Sequence, residues 1–306
     1  MTAKRFLSTF ILGLFYLFLL CVHAEAQQLA TFVSGTGHDM NSNGTNNTCT
    51  RNTPCQTLAY AISQTVNGGK VYVLDALNED RRFSPLSISQ SVSIIGAGAR
   101  AGIDGSINVT PETGGRVLLK GLDVHGLLVQ GEGITVIVDD CTITDGSFGI
   151  SFTPIGTASS NLNVRNSIVA RNSGTGVSIQ PQSTGKALAV IENVNINNNS
   201  YGVRAFDNST VTIRNSVISE SIFGGVRSEA VVGGQVSVFI EHSQVSHNGG
   251  SGVVASGTTA VLLISDVTIT NNAGSGVSYT SGGTVLSYKN NAINGPTMAP
   301  TTTTLN

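Results

Sequence analysis

The sequence predicts an all-β fold of stacked coils, a parallel β-helix or solenoid, on three observations. Seven segments between residues 136 and 293 share one pattern: apolar, any, apolar, polar, bend residue, small, any, β-branched. Their bend residues, Asp140, Asn166, Asn193, Asn215, His242, Asp266 and Asn290, recur at intervals of 22 to 27 residues. A glycine follows nine or ten residues after the first six bends, at 149, 176, 202, 225, 252 and 276, each time just before Val or Ile. Self-similarity at this period signals stacked repeats.

The content of each repeat follows from its periodicity. Apolar residues at spacing two, rich in Val and Ile, mark short strands with one buried face. About 25 residues holding two or three such strands make one coil of a solenoid. Between the strands no segment has the length or the 3.6 period of a βαβ crossover. Leucine-rich repeats are excluded because their Leu scaffold is missing. Asn at the bends suits left-handed backbone, and stacked amides can hydrogen-bond along the axis. Asn193 and Asn215 are the expected neighbours in that ladder. Asp140, His242 and Asp266 are read as substitutions within a turn.

Met1 to Ala26 reads as a secretory signal peptide. Lys4 and Arg5 give the basic start, Phe6 to Val22 the apolar stretch, and Ala24-Glu25-Ala26 the cleavage site. A retained anchor helix is the alternative. Without Lys4, Arg5 and Glu25 the formal charge moves from −2 to −3, which offers no overall attraction to nucleic acid or membrane surfaces. No later segment is apolar for long enough to span a bilayer.

Residues 27–69 do not repeat and are read as an N-terminal loop with a capping helix. Cys49 and Cys55 close a small ring, which an oxidising compartment favours as a disulfide. Thr53-Pro54 offers a helix start and Gly68-Gly69 a stop, with Leu58, Ala61, Ile62 and Thr65 on one face. Such a helix would cover the open end of the stack, which otherwise exposes core and strand edges. Residues 70–294 form the β-helix. Three earlier coils, with bends at Asp75, Gly96 and Gly121, bring the total to about ten. Residues 295–306, rich in Pro and Thr, are read as a disordered tail.

Three stretches carry a resemblance: Thr31 to Asp39, the Cys49 to Cys55 segment with Thr57 to Ile62, and Gly68 to Asp75. They resemble secreted bacterial right-handed β-helix proteins of the pectin-lyase-like superfamily. The resemblance implies a right-handed coil and an extracellular or periplasmic location. It says little about activity, since that superfamily includes lyases, hydrolases, epimerases and non-enzymes. Polygalacturonase-like members bring an Asn-Thr-Asp motif, an Asp pair, a Gly-His-Gly and an Arg-Ile-Lys; here only Asp139-Asp140 is present, and Asp140 is a bend residue. Pectate-lyase-like members gather carboxylates for calcium beside a basic residue, whereas the carboxylates of this sequence are scattered. The five His show no ligand spacing, so neither a metal nor a cofactor is expected.

Two polar columns remain. The position before the bend holds Asp139, Arg165, Glu192, Arg214, Glu241, Ser265 and Lys289, alternating in sign for five coils. It reads as a register device, because a slip brings like charges together. The outward position after the glycine column holds Ser151, Ser178, Arg204, Arg227, Val254 and Ser278, with Phe206 and Glu229 two residues on. Stacked Arg204 and Arg227 beside Phe206 are the candidate ligand-binding site, suited to a sugar ring and a carboxylate. The competing reading pairs Glu229 with Arg227 and folds Phe206 over a turn. Cys141, at a small inward position, is expected to be a free, buried thiol. The functional expectation is a glycan-binding protein or surface scaffold without turnover, its ligand an acidic polysaccharide or cell-surface glycan. The alternative is a polysaccharide-degrading enzyme of the lyase type.

Overall fold

The computed structural model describes residues 27–75, 85–96, 101–103, 105–182 and 184–296, with the backbone of 301–302. The signal-peptide segment, residues 1–26, lies outside the described residues. The remainder is an all-parallel β-solenoid. Each regular coil contributes three short strands. A first-strip strand such as Thr135–Asp139 leads through the bend into a second-strip strand, Thr142–Thr144. A second corner then leads to a third-strip strand, Ile150–Phe152. In two coils the bend does not interrupt the ladder, so Val236–Ser246 and Ala260–Thr270 run through both strips. The third strip is a nine-stranded sheet, which sets nine complete turns. The tenth expected coil has Thr284–Ser287 and Ala292–Ile293 but no third strand among the described residues.

Alternation dictates the core. Val136, Val138, Ile143, Ile150 and Phe152 of one coil are almost fully buried, and the coils above and below repeat the arrangement. The bends adopt the left-handed backbone expected of them, with φ of 54° at Asp140, 52° at Asn166, 53° at Asn193, 51° at Asn215 and 52° at Asp266. A second left-handed column stands five residues later, at Asp145, Arg171, Asn198, Glu220, His247 and Asn271. The glycine column has a steric cause. A Cβ on Gly225 would strike the Gly252 carbonyl and the Val245 side chain, and Gly149, Gly176, Gly202 and Gly252 meet the glycine of the next coil in the same way.

An amide ladder forms at the bends, but between other neighbours than expected. At the bends Asn193 Nδ2 donates to Asn166 Oδ1 (2.9 Å) and Asn166 Nδ2 to Asp139 Oδ1 (2.9 Å), both near the surface; Asn193 and Asn215 are not the bonded neighbours. The buried ladder lies six residues after the bends. Asn172 Nδ2 donates to Asn199 Oδ1 (3.0 Å) and Asn248 Nδ2 to Asn272 Oδ1 (2.8 Å). Ser221 holds the intermediate level, and its buried hydroxyl has no partner. Inward serines form a further ladder: Ser167 Oγ accepts from Cys141 N, and Ser243 Oγ from Ser216 N.

Both ends depart from the expectation. The sheet begins within the segment read as loop and cap: Gln28–Val33 pairs in parallel with Thr65–Val73. The helix is Leu58–Ser63, capped by Thr57 rather than started at Thr53-Pro54, because the Thr57 side chain accepts from Tyr60 N. Leu58, Ala61, Ile62 and Thr65 are buried as expected. Gly68-Gly69 does not end the helix but lies inside the strand Thr65–Val73. Cys49 and Cys55 are disulfide-bonded, and Cys141 is free and buried. Burial pushes the Cys141 thiol up to about 11.

Asp75 is not a bend residue, since Val73 is the partner of Gly96. Instead Asp75 accepts from the Ser34 hydroxyl (2.6 Å) and Gly35 N (2.8 Å). In the last coil an extra residue shifts the register. Ile264 pairs with Ser287 but Thr268 with Ala292, so the left-handed position falls on Lys289 (φ 65°) rather than Asn290. Beyond the expected end, Thr301–Thr302 adds a short strand beside Thr284–Ser287, within the segment read as disordered.

Connections from the third strip to the next coil vary most. Asp207 and Asn208 alone link Tyr201–Phe206 to Ser209–Arg214, whereas residues 230–235 link Gly224–Glu229 to Val236–Ser246.

Candidate functional site

The third-strip column stacks as read from the sequence: Ser151 on Ser178, Ser178 on Arg204, Arg204 on Arg227, Arg227 on Val254 and Val254 on Ser278. Phe206 stands beside Glu229 in the same register. All four expected site residues therefore meet on one face. They do not leave two uncancelled charges.

Glu229 joins the two arginines. It accepts from Arg204 Nε (3.0 Å) and Nη2 (2.8 Å), a bidentate contact, and from Arg227 Nε (2.7 Å). Burial works against its charge, but the hydrogen bonds from Arg204 and Arg227 outweigh it and hold Glu229 below the ordinary carboxylate range. A carboxylate held in that way is a weak proton acceptor. The cluster carries one net positive charge.

Sequence reasoning missed a member of the group. The Arg204 guanidinium lies between two rings, 4.7 Å from the centroids of both Tyr201 and Phe206. Arg227 approaches Tyr201 at 5.9 Å. Tyr201 in turn touches Phe223, ring centroids 5.3 Å apart, and Phe223 is 56% exposed. Outward residues of Tyr201–Phe206 fall at 201, 204 and 206, because the pairing skips a residue after Tyr201. That irregularity hid Tyr201 from a strict period of two. The sandwich decides how Phe206 is used: it packs on Arg204 instead of folding over a turn.

Elsewhere the described residues bring no three His, Cys, Asp or Glu side chains together. His242 Nε2 lies 3.5 Å from Asp266 Oδ2, both exposed, beside an open groove lined by Asn215, Val217 and Gln244. The sign-alternating column is in register from Asp139 to Ser265 and gains Lys120 below Asp139, but Lys289 leaves it, because the register shift of the last coil moves that residue into the bend. Asp139 contacts both Lys120 (3.2 Å) and Arg165 (3.2 Å), and Glu192 contacts Arg214 (2.9 Å). Burial opposes the charge of Asp139, but Asn166, Lys120 and Arg165 together lower its pKa.

A family model described as the right handed beta helix region matches residues 125–218 and 155–299, together more than half of the chain. The chain belongs to this right-handed β-helix family. Among curated proteins no match is found. Three solved structures are similar to this β-helix chain. Pectate lyase Pel9A shares 14% identity over 92% of this chain and 78% of its own, with a TM-score of 0.49. A rhamnogalacturonan lyase shares 14% over 79% and 76%, with a TM-score of 0.43. The GH136 lacto-N-biosidase from Eubacterium ramulus shares 11% over 87% and 68%, with a TM-score of 0.42. No helix among the described residues is long and apolar enough to cross a membrane.

Proposed function

We propose that this β-helix is an exported, extracellular or periplasmic protein that binds a glycan without turning it over. Its ligand is an acidic polysaccharide or cell-surface glycan, held on the face around Arg204 and Arg227. The observation that carries the reading is the fixed platform of Tyr201, Arg204 and Phe206, clamped from the next strand by Glu229. A rigid aromatic surface stacks the apolar face of a sugar ring at small entropic cost. Glu229 engages only Nε of Arg227, so the outer nitrogens of that guanidinium face a carboxylate of the ligand. Because Glu229 neutralises one of the two charges, ring stacking contributes more than charge, and salt weakens binding only in part.

Retention on immobilised polygalacturonate and on a neutral glucan tests this. Phe223→Ala and Tyr201→Ala should each lower retention, and Arg227→Ala should lower it on the acidic polymer alone. Melting temperatures should stay near the parent value for Phe223→Ala. Unchanged retention in all three variants would remove this face from consideration. Unsaturated products released from the acidic polymer would show a lyase instead.

A further inference from the structure

The outer face of the first strip carries charge and apolar surface in adjacent columns. Lys120, Asp139, Arg165, Glu192, Arg214 and Glu241 stack in consecutive coils, giving the signs + − + − + −. Ile95 precedes the run and Ser265 follows it, so the charges number six. Two residues earlier on the same face stand Leu118, Ile137, Asn163, Val190, Thr212 and Phe239. None of these six is buried, and the adjacent Leu188 is 45% exposed.

An alternating run with an even number of members is its own complement when reversed. Consider a two-fold axis parallel to the strands, lying between two such faces at the level midway between Arg165 and Glu192. Rotation about it keeps each column over itself but reverses the order of coils. Lys120 then faces Glu241 of the second copy, Asp139 faces Arg214, and Arg165 faces Glu192. In the neighbouring column Leu118 meets Phe239, Ile137 meets Thr212, and Asn163 meets Val190. A slip by one coil opposes like charges throughout, so the register is selected as well as permitted.

We propose that two copies of the chain associate face to face through the first strip in this antiparallel register. Six strands at about 4.8 Å and a width of six residues at about 3.3 Å give a plane of roughly 600 Å² per copy. Side-chain relief adds to it, which brings the contact toward the standard interface of about 800 Å² per partner. The within-chain contacts persist: the five exposed or half-buried charges each gain one opposite, while Asp139, already buried beside Lys120 and Arg165, gains least. The third-strip face stays open, so the proposal stands or falls separately from glycan binding.

Residues 120 and 241 make a decisive probe because they lie five coils apart in one chain, about 24 Å. At that distance they couple only through a second copy. Sedimentation equilibrium of the purified chain should show a concentration-dependent dimer at low salt that weakens as salt is added. Glu241→Lys should raise the dissociation constant roughly tenfold, and Glu241→Gln by less. The double exchange of Lys120→Glu with Glu241→Lys should recover dimerisation, although each new charge then sits beside a like neighbour in the adjacent coil of its own chain. Circular dichroism and melting of each variant verify folding, and Glu241→Gln gives the same answer without a like-charge neighbour. A parent chain that sediments as a monomer at every concentration overturns the proposal. So does a dimer that is indifferent to Glu241→Lys and Glu241→Gln, or one the double exchange fails to restore.

Discussion

Asn172 Nδ2 donates to Asn199 Oδ1 at 3.0 Å, joining two buried amides that are 27 residues apart in sequence. Each of these amides also reaches backbone: Asn172 Nδ2 bonds Ala170 O and Ile143 O, and Asn199 Nδ2 bonds Asn197 O and Val169 O. The ladder therefore satisfies polar backbone at a corner that the strands leave unpaired.

Asn199→Leu leaves several of those groups buried and unpaired, and unfolding free energy should fall by about 2–3 kcal/mol. Ser221 is the gap in the same column, its hydroxyl buried without a partner. Ser221→Asn restores the missing rung and should raise the denaturant midpoint by an amount equivalent to about 1 kcal/mol. A lower midpoint for Ser221→Asn would show that this corner is already filled.

Gly225→Ala tests the stacked backbone of the third strip. The added methyl meets Val245 and the carbonyl of Gly252, neither of which can withdraw without moving its coil. Destabilisation of about 3 kcal/mol or more is expected, against less than about 1 kcal/mol for Gly102→Ala, where nothing lies near the new methyl and the backbone is not left-handed. Equal melting of the two variants would contradict the close stacking.

Arg214→Glu places three carboxylates in succession, at 192, 214 and 241. Arg214 and Glu192 are 42% and 37% exposed, so screening limits the loss to about 1 kcal/mol, with added salt recovering part of it. Glu241→Arg in the same chain, whose next coil carries the uncharged Ser265, should restore part of the difference. Thermal melts at low and high ionic strength are the readout.

Glu229 supplies a pH dependence whose sign is fixed by its lowered pKa. Its contribution is fully present above the unfolded value, near 4.5, and is lost as pH falls through the lower folded value. Glu229→Gln should therefore flatten the decline in stability below about pH 4.5 and have its largest effect near neutrality. If parent and variant decline in parallel across that range, the two arginines are not holding this carboxylate.

Features that repeat a residue type were legible in the sequence. Asn and Asp at the bends, glycines nine or ten residues on, and alternating charges each leave a column that alignment exposes. The second left-handed corner was hidden because Asp145, Arg171, Asn198, Glu220, His247 and Asn271 share a backbone state and no chemistry. Pairing along the axis reconciles them locally: Arg171 is bidentate to Asp145, and Asn198 donates to Glu220. The buried amide ladder six residues after the bends was not anticipated, because exposed and buried Asn look alike in sequence. At the site, the four expected residues were placed together correctly. The pairing of Glu229 with Arg227 was among the readings, but not its bidentate contact with Arg204, since Glu229 reaches across a coil to a partner that strand spacing alone does not reveal.

Chain length per coil varies most at one corner. The path from bend to the buried Val or Ile of the third strip takes about ten or eleven residues in the coils from Asp140 to Asp266, whereas the link to the next coil shortens to Asp207-Asn208 or lengthens to residues 230–235. Val231 and Val232 at the tip of the longer link are 69% and 86% exposed, their amides held by Asp207. Foreign peptide spliced at this tip would leave every rung of the stack in place while projecting beside Phe206 and Glu229. The solenoid is in that sense a chassis with a single hardpoint per turn, and new specificity can be grafted there without redesigning what lies beneath.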